Sequence, residues 1–475
     1  MDISFKGKNI AILGLGIEGL STARFLTSKG ANVSILDQKR EEELNSDILN
    51  DAKKLKIKFV LGGNYLNDLN SYEIIVRSPG VKRNLPEIIK AEENGAIITS
   101  QTQIFFDFCP CPIIGVTGTK GKGTTSSLIC EMLKKQGFNT YLGGNIGQPP
   151  VDFLDKLNSQ SWVVLELSSF QLQDLNRSPA SRQGGPHIAV VLMITSEHLD
   201  YHKDTKEYVE AKRNILRFQT ASDFAVINRD YPASNESDLH TGAKMFYVSR
   251  EREVDRGCFV RDGEIRSKIK DQRSKIINTS EILLPGKHNW ENVCAAVMAA
   301  TLAGVSKQNI TSVLMTFKGL EHRLQLIKEI DGVKYYDDSF STTPETAIAA
   351  IEAFEAPEIL ILGGSSKNSD FTELGEVISK AKNIKAIIGI GEEWKRMKSQ
   401  FSIFNFQFSI VEGCKNMREV VVSAVLEAEP GDVVILSPAC ASFGMFKNYK
   451  DRGEQFKREV EALADRAPIP QTNEE

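Results

Sequence analysis

Two lysines set among glycines, between an apolar run and a stretch with helical spacing, point to phosphate chemistry. The segment reads Pro112-Ile113-Ile114-Gly115-Val116-Thr117-Gly118-Thr119-Lys120-Gly121-Lys122-Gly123-Thr124-Thr125. Glycines such as Gly118 and Gly121 leave backbone N–H groups free to face anionic oxygens. The helix that follows presents its positive end, and Lys122 adds a mobile charge. With Thr119, Lys120, Gly123 and Thr124 the loop is expected to cradle a nucleoside triphosphate. The strict pattern wants Ser or Thr directly after the lysine. Here Gly123 stands in that place, and Thr124 is the first hydroxyl after Lys122.

Other groups have types suited to the same chemistry. Glu166 sits inside the apolar run Trp162 to Leu172. A buried carboxylate is costly unless it is paired or meets a cation, so Glu166 is a candidate for Mg²⁺. Leu142 to Gly147 is a second glycine-rich loop and carries Asn145. His198 and His202 stand four apart after a strand, but zinc would need soft ligands that the sequence does not offer. His198 is therefore read as a group beside a magnesium-phosphate site. By spacing alone Lys212 is an exposed helix lysine. Asn289 and Asn292 both lie near the start of a helix; capping accounts for one of them and leaves the other for a purine ring. In the last third, Arg323, Asp338 and Lys367 fall on loops that follow strands.

These residues need strands that end in loops, and the chain supplies them repeatedly. Asn9 to Leu13 runs into Gly14-Leu15-Gly16-Ile17-Glu18-Gly19, a dinucleotide-type turn, and the next strand ends on Asp37. Glu73 to Val76 empties into Arg77-Ser78-Pro79-Gly80, a loop that should share a crevice with the glycine turn. Strands and helices alternate to the end, which gives an α/β protein of three domains at 1–100, 101–319 and 320–475. Ser100 to Gln103 reads as a hinge. Arg229 to Ser280 reads as polar decoration with a hairpin at Arg261 to Ile265, and a charged helix starts near Arg452. The 475 residues exceed one ordinary core. A net charge of -4 gives no reason to expect nucleic acid, and no apolar run is long enough to span a bilayer. Seven scattered cysteines without metal spacing suit reduced thiols in the cytoplasm.

The ordered motifs resemble the Mur ligases of bacterial cell-wall synthesis over nearly the whole chain. They include Gly14 to Gly19, Ser78-Pro79-Gly80, Thr117 to Lys122, Gly144 to Gly147, Leu165 to Leu172, Glu197 to Asp200, Ala211-Lys212, His288-Asn289, Glu321-His322-Arg323 and Asp338-Ser339. Leu436 to Ser442 with Phe446-Lys447 points to the glutamate-adding branch. The resemblance implies a Rossmann-like first domain, a P-loop NTPase-like central domain and a Rossmann-like last domain. It implies ATP-dependent joining of D-glutamate to UDP-N-acetylmuramoyl-L-alanine through an acyl phosphate, with Mg²⁺, in a cytoplasmic monomer. Gly14, Gly16, Ile17, Asp37, Ser78, Gly80 and Asn145 would serve the UDP-linked substrate. Lys122 would hold ATP phosphates, with Asn289, Asn292, Arg323 and Asp338 also on the nucleotide. Glu166, His198, Thr124 and a carbamylated Lys212 would serve the metal, and Thr342, Lys367, Ser437 and Phe446 would hold D-glutamate. The family usually has Asp-Ser-Lys where this chain has Asp338-Ser339-Phe340, and the alternatives are a relative with another acceptor or a non-catalytic nucleotide-binding descendant.

Overall fold

The computed structural model describes residues 4–175, 185–195, 201–269, 272–366, 369–404 and 408–463, so His198 and Lys367 lie outside the described residues. The first sheet is built from β1 (Asn9–Leu13), α1 (Ile17–Ser28), β2 (Asn32–Asp37), α2 (Ser46–Lys53), β3 (Lys58–Leu61), β4 (Ile74–Arg77), α3 (Pro86–Glu93) and β5 (Ile97–Thr99). All its strand pairs are parallel, in the order β3-β2-β1-β4-β5. Helices cover both faces of such a sheet, which is why β1 and β4 read as continuous apolar runs. The order reverses between β1 and β4, so the loops after these two strands border one crevice. The expected hinge at Ser100 is instead the cap of α4 (Gln101–Phe108), where the Ser100 hydroxyl accepts from the Gln103 amide at 3.1 Å. Gln101 is buried and donates to the Glu18 carbonyl and the Thr22 hydroxyl, both at 2.9 Å. Polar side chains here find packed partners, so the junction is closed rather than loose.

The second sheet starts with β6 (Ile113–Thr117), α5 (Lys122–Lys135), β7 (Thr140–Gly144), β8 (Trp162–Glu166), α6 (Ser169–Leu172), β9 (Ile188–Val191), α7 (Thr205–Arg217), β10 (Phe224–Asn228), α8 (Pro232–Asn235) and β11 (Lys244–Ser249). It continues through β12 (Gly257–Arg261), β13 (Glu264–Ile269) and β14 (Gln272–Asn278), and is followed by α9 (His288–Leu302) and α10 (Lys307–Leu314). Nine strands run in the order β14-β13-β12-β11-β10-β9-β6-β8-β7. The polar stretch after Arg229 thus extends the sheet itself, with the antiparallel hairpin pairing Arg261 with Glu264.

The third sheet comprises β15 (Gln325–Ile330), β16 (Val333–Asp337), α11 (Pro344–Ile351), β17 (Glu358–Gly363), α12 (Thr372–Lys380), β18 (Ile384–Ile390), α13 (Trp394–Phe401), β19 (Ser409–Val411), α14 (Met417–Glu427), β20 (Val433–Leu436) and α15 (Tyr449–Glu461). Its order is β15-β16-β20-β17-β18-β19, with only β15 antiparallel to its neighbour. Met1–Glu281 with Trp290–Leu314 forms one unit, and Ile282–Asn289 with Met315–Glu475 forms another. The first two sheets share the first unit. One apolar cluster there runs from Ile10 and Phe25 through Phe105 and Phe153 to Val163 and Ile215.

Candidate functional site

β6 is buried along its length and delivers the chain into the phosphate loop. Gly118 and Gly121 have φ of +156° and +85°. A Cβ on Gly118 would come 2.8 Å from Leu192, and one on Gly121 would come 2.1 Å from Oδ1 of Asn292. Asn292, carried on α9, therefore fills the hollow of the loop. Lys122 opens α5 and its ammonium donates to the carbonyls of Gly118 and Thr119, both at 2.9 Å. Lys212 overturns its expected exposure. It is 2% exposed, donates to the Gly118 carbonyl at 2.8 Å, and lies 4.6 Å over the Tyr208 ring. Its face of α7 packs inward, because Tyr208 also bonds the Thr119 hydroxyl at 2.9 Å. Charge alone suggested the wrong face.

Glu166 ends β8, buried, with Oε1 accepting from the Asn145 side-chain amide at 2.8 Å. The Asn145 backbone N–H donates to the Glu166 carbonyl at 2.9 Å, and a Cβ on Gly144 would come 2.2 Å from that oxygen. The second glycine loop is thus drawn against the carboxylate strand. His202 is buried, bonds the Ser169 hydroxyl at 2.9 Å and stacks on Phe170. It belongs to an aromatic cluster with Phe170, Tyr201 and Tyr208. Thr124 lies half-buried in the first turn of α5, and Gly123 is buried beside it. A carboxylate, hydroxyls and loop amides are hard oxygen and anion-binding groups, which suit a triphosphate with Mg²⁺.

At the reversal between β1 and β4, a Cβ on Gly14 (φ +100°) would meet the Ser78 hydroxyl at 3.2 Å, so the two expected loops do adjoin. Gly16 and Gly80 have open space around them, and Ile17 is 68% exposed. Asp37 accepts from the Leu15 and Lys39 amides at 2.8 and 2.9 Å, so its carboxylate braces the glycine turn. Gly19 allows α1 to sit close on the strand end, since a Cβ there would fall 2.1 Å from the Gly14 carbonyl.

In the second unit, Asn289 donates to the Pro285 carbonyl at 2.6 Å. Asp338 is 7% exposed and accepts from the Ser437 hydroxyl at 2.7 Å and the Leu324 amide at 3.1 Å; burial pushes its carboxyl up to about 7. Ser437 is thereby engaged with Asp338, and Phe446 packs into the apolar core with Leu436 and Phe456. Thr342 is half-buried ahead of α11. The Arg323 guanidinium lies 4.1 Å over the Phe340 ring. Arg452, expected on a charged helix, is fully buried and grips the Ser339 hydroxyl and carbonyl, both at 2.9 Å. It also donates to the Cys440 and Ala441 carbonyls at 3.2 and 3.3 Å. Burial pulls Arg452 down to about 10.

A protein of Acetivibrio thermocellus named UDP-N-acetylmuramoylalanine–D-glutamate ligase is 39% identical over 464 residues, covering 96% of this chain and 97% of that one. The chain belongs to the Mur ligase family. Mur ligase models match it in three blocks: the MurD-like N-terminal domain at 8–100, the middle domain at 116–300 and the glutamate ligase domain at 322–440. A relative of the same name from Ruminiclostridium cellulolyticum is 37% identical, with 96% and 97% coverage. The solved structure of a UDP-N-acetylmuramate–alanine ligase from Thermotoga maritima shares the Mur ligase fold, with a TM-score of 0.55 at 15% identity, covering 96% of this chain and all of that one. Sequence reasoning about this Mur ligase missed Arg77, Tyr208 and Arg452. The signal available for Arg77 was a lone arginine closing an apolar strand.

Proposed function

We propose that this chain uses ATP to join D-glutamate to UDP-N-acetylmuramoyl-L-alanine, as the named activity of its relatives suggests. The observation that carries the reading is the convergence of Lys122 and Lys212 on the Gly118 carbonyl of the phosphate loop. The Lys122 cation lowers the repulsion between a carboxylate and a triphosphate, the first obstacle to carboxylate activation. The substrate carboxylate attacks the γ-phosphorus and ADP leaves; the amine of D-glutamate then attacks the acyl phosphate and expels phosphate. Gly14, Gly16, Asp37, Ser78 and Gly80 orient the UDP end, with Asp37 acting through the turn that it braces. Asn289, Asn292, Arg323 and Asp338 hold the nucleotide, and Thr342, Lys367, Ser437 and Phe446 belong to the amino-acid end. Glu166, His198 and Thr124 would hold Mg²⁺, with Lys212 joining them once carbamylated. The ion would neutralise charge on the transferring phosphoryl group. The reading places a monomer in the cytoplasm; no helix among the described residues is long and apolar enough to cross a membrane.

The test is phosphate release from ATP by the purified protein. Release is expected only when UDP-N-acetylmuramoyl-L-alanine and D-glutamate are both present. Turnover with L-alanine, diaminopimelate or lysine in place of D-glutamate would overturn the acceptor, and release without the UDP-linked acid would overturn the ligase reading.

A further inference from the structure

Arg77 ends β4 directly before the Ser78-Pro79-Gly80 loop, and it is 1% exposed. A buried guanidinium is costly unless its charge and its N–H groups are matched. Here they are. Nε donates to Oδ2 of Asp174 at 2.8 Å, and Nη2 reaches the same oxygen at 2.5 Å. Nη2 also donates to the Phe170 carbonyl at 3.1 Å. Nη1 donates to the Tyr201 hydroxyl at 2.7 Å and to the Val81 carbonyl. Tyr201 in turn donates to that Val81 carbonyl at 3.1 Å, and the Val81 amide closes a turn on the Ser78 carbonyl at 3.0 Å.

One side chain from the first sheet therefore ties three segments together: its own loop, the α6 segment that follows Glu166, and Tyr201 ahead of α7. Replacing a buried ion pair by apolar packing is often neutral for stability, so stability alone gives little reason for it. What a planar fork of five donors supplies is direction, since few arrangements satisfy all its acceptors. We propose that Arg77 is a positioning residue that sets the register of the Ser78–Gly80 loop against the Glu166 and Lys212 elements, so that a bound UDP-linked acid presents its carboxylate to the phosphate loop. This rests on the reading of function given above.

The test compares Arg77→Lys and Tyr201→Phe with the parent protein. Arg77→Lys keeps the charge and loses the fork, so the KM for UDP-N-acetylmuramoyl-L-alanine should rise about 10- to 100-fold, while ATP binding measured without the acid changes less than about threefold. Tyr201→Phe should move the same KM in the same direction by about three- to tenfold. A fall in kcat with both KM values unchanged would mean lost active protein only and would overturn the proposal. A second readout needs no substrate. Amide hydrogen exchange at 78–81 and at 170–174 should speed up together in Arg77→Lys, and exchange that is unchanged or altered in one segment alone would also overturn it. If the parent protein does not bind the UDP-linked acid, the functional reading fails, and the exchange result still decides whether Arg77 ties the loops.

Discussion

Phe340 is 39% exposed on a loop, yet its ring makes two contacts. Arg323 lies 4.1 Å over it, and Tyr449 meets it edge-on at 5.0 Å, with Tyr449 in turn edge-on to His322 at 6.0 Å. His322 is fixed by its Nδ1 bond to Asp337 at 2.7 Å. Burial pulls its imidazole down, but that bond and the charges of Asp337, Glu321 and Glu454 more than offset it, leaving His322 above its ordinary value. The aromatic ring thus holds Arg323 where a lysine would repel it. A cation over an aromatic face contributes about 0.5–2 kcal/mol. Phe340→Lys is therefore expected to raise the KM for ATP about 3- to 30-fold, with Phe340→Tyr near the parent value. Steady-state kinetics with ATP varied at saturating acid and amino acid would check this, and an unchanged KM for Phe340→Lys would remove Arg323 orientation from the role of Phe340.

At the scale of an element, β17 carries an oddity with a pH signature. Glu358 at its start is fully buried, with Oε1 bonded to the Asn383 amide at 2.8 Å and Oε2 without a hydrogen-bond partner among the described residues. Burial pushes its carboxyl up to about 9, opposed by Asn383. The folded state keeps a proton that the unfolded chain gives up from near the ordinary value of 4.5, so stability falls as pH rises between 4.5 and about 9. Glu358→Gln keeps a partner for Asn383 and has no proton to lose. Its stability relative to the parent should improve by up to about 4 kcal/mol between pH 6 and 9, at about 1.4 kcal/mol per pH unit. Urea unfolding at the two pH values measures it, and parallel pH curves for the two proteins would place the ionisation elsewhere. The run Glu358 to Leu362 was legible as a strand because apolar periodicity reports burial. The neutral state of Glu358 was not, because it depends on what packs around the strand's start.

For the whole molecule, alternation of strands and helices made the α/β class legible, and Gly14 and Ser78 were paired in advance because parallel sheets open their crevices at the strands' carboxyl ends. Residues whose roles come from packing between distant segments were not legible. Lys212 looked exposed because its spacing alone is that of an ordinary helix lysine, whereas the Gly118 carbonyl that receives it is far away in the chain. Ser100 looked like a hinge for the same reason. The phosphate loop itself depends on such a partner. Gly121→Ala would drive a methyl into Asn292 and strain a positive φ, so ATP affinity should fall at least about tenfold and melting should drop several degrees. Adding Asn292→Ala should recover part of the melting loss by removing the clash, with the φ strain remaining. Calorimetry on the two variants would show it, and no recovery would mean that backbone strain accounts for the whole loss.

That contact also orders events in time. Gly121 and Asn292 are 171 positions apart, from 292 − 121. At about 5–20 residues per second, a ribosome needs roughly 10–35 seconds to add the missing partner after the glycine turn has been made. A growing chain therefore carries the lysine and the glycines of its nucleotide cradle well before the asparagine that fills the cradle's hollow, and the cradle is completed only after the strands that flank it have been synthesised.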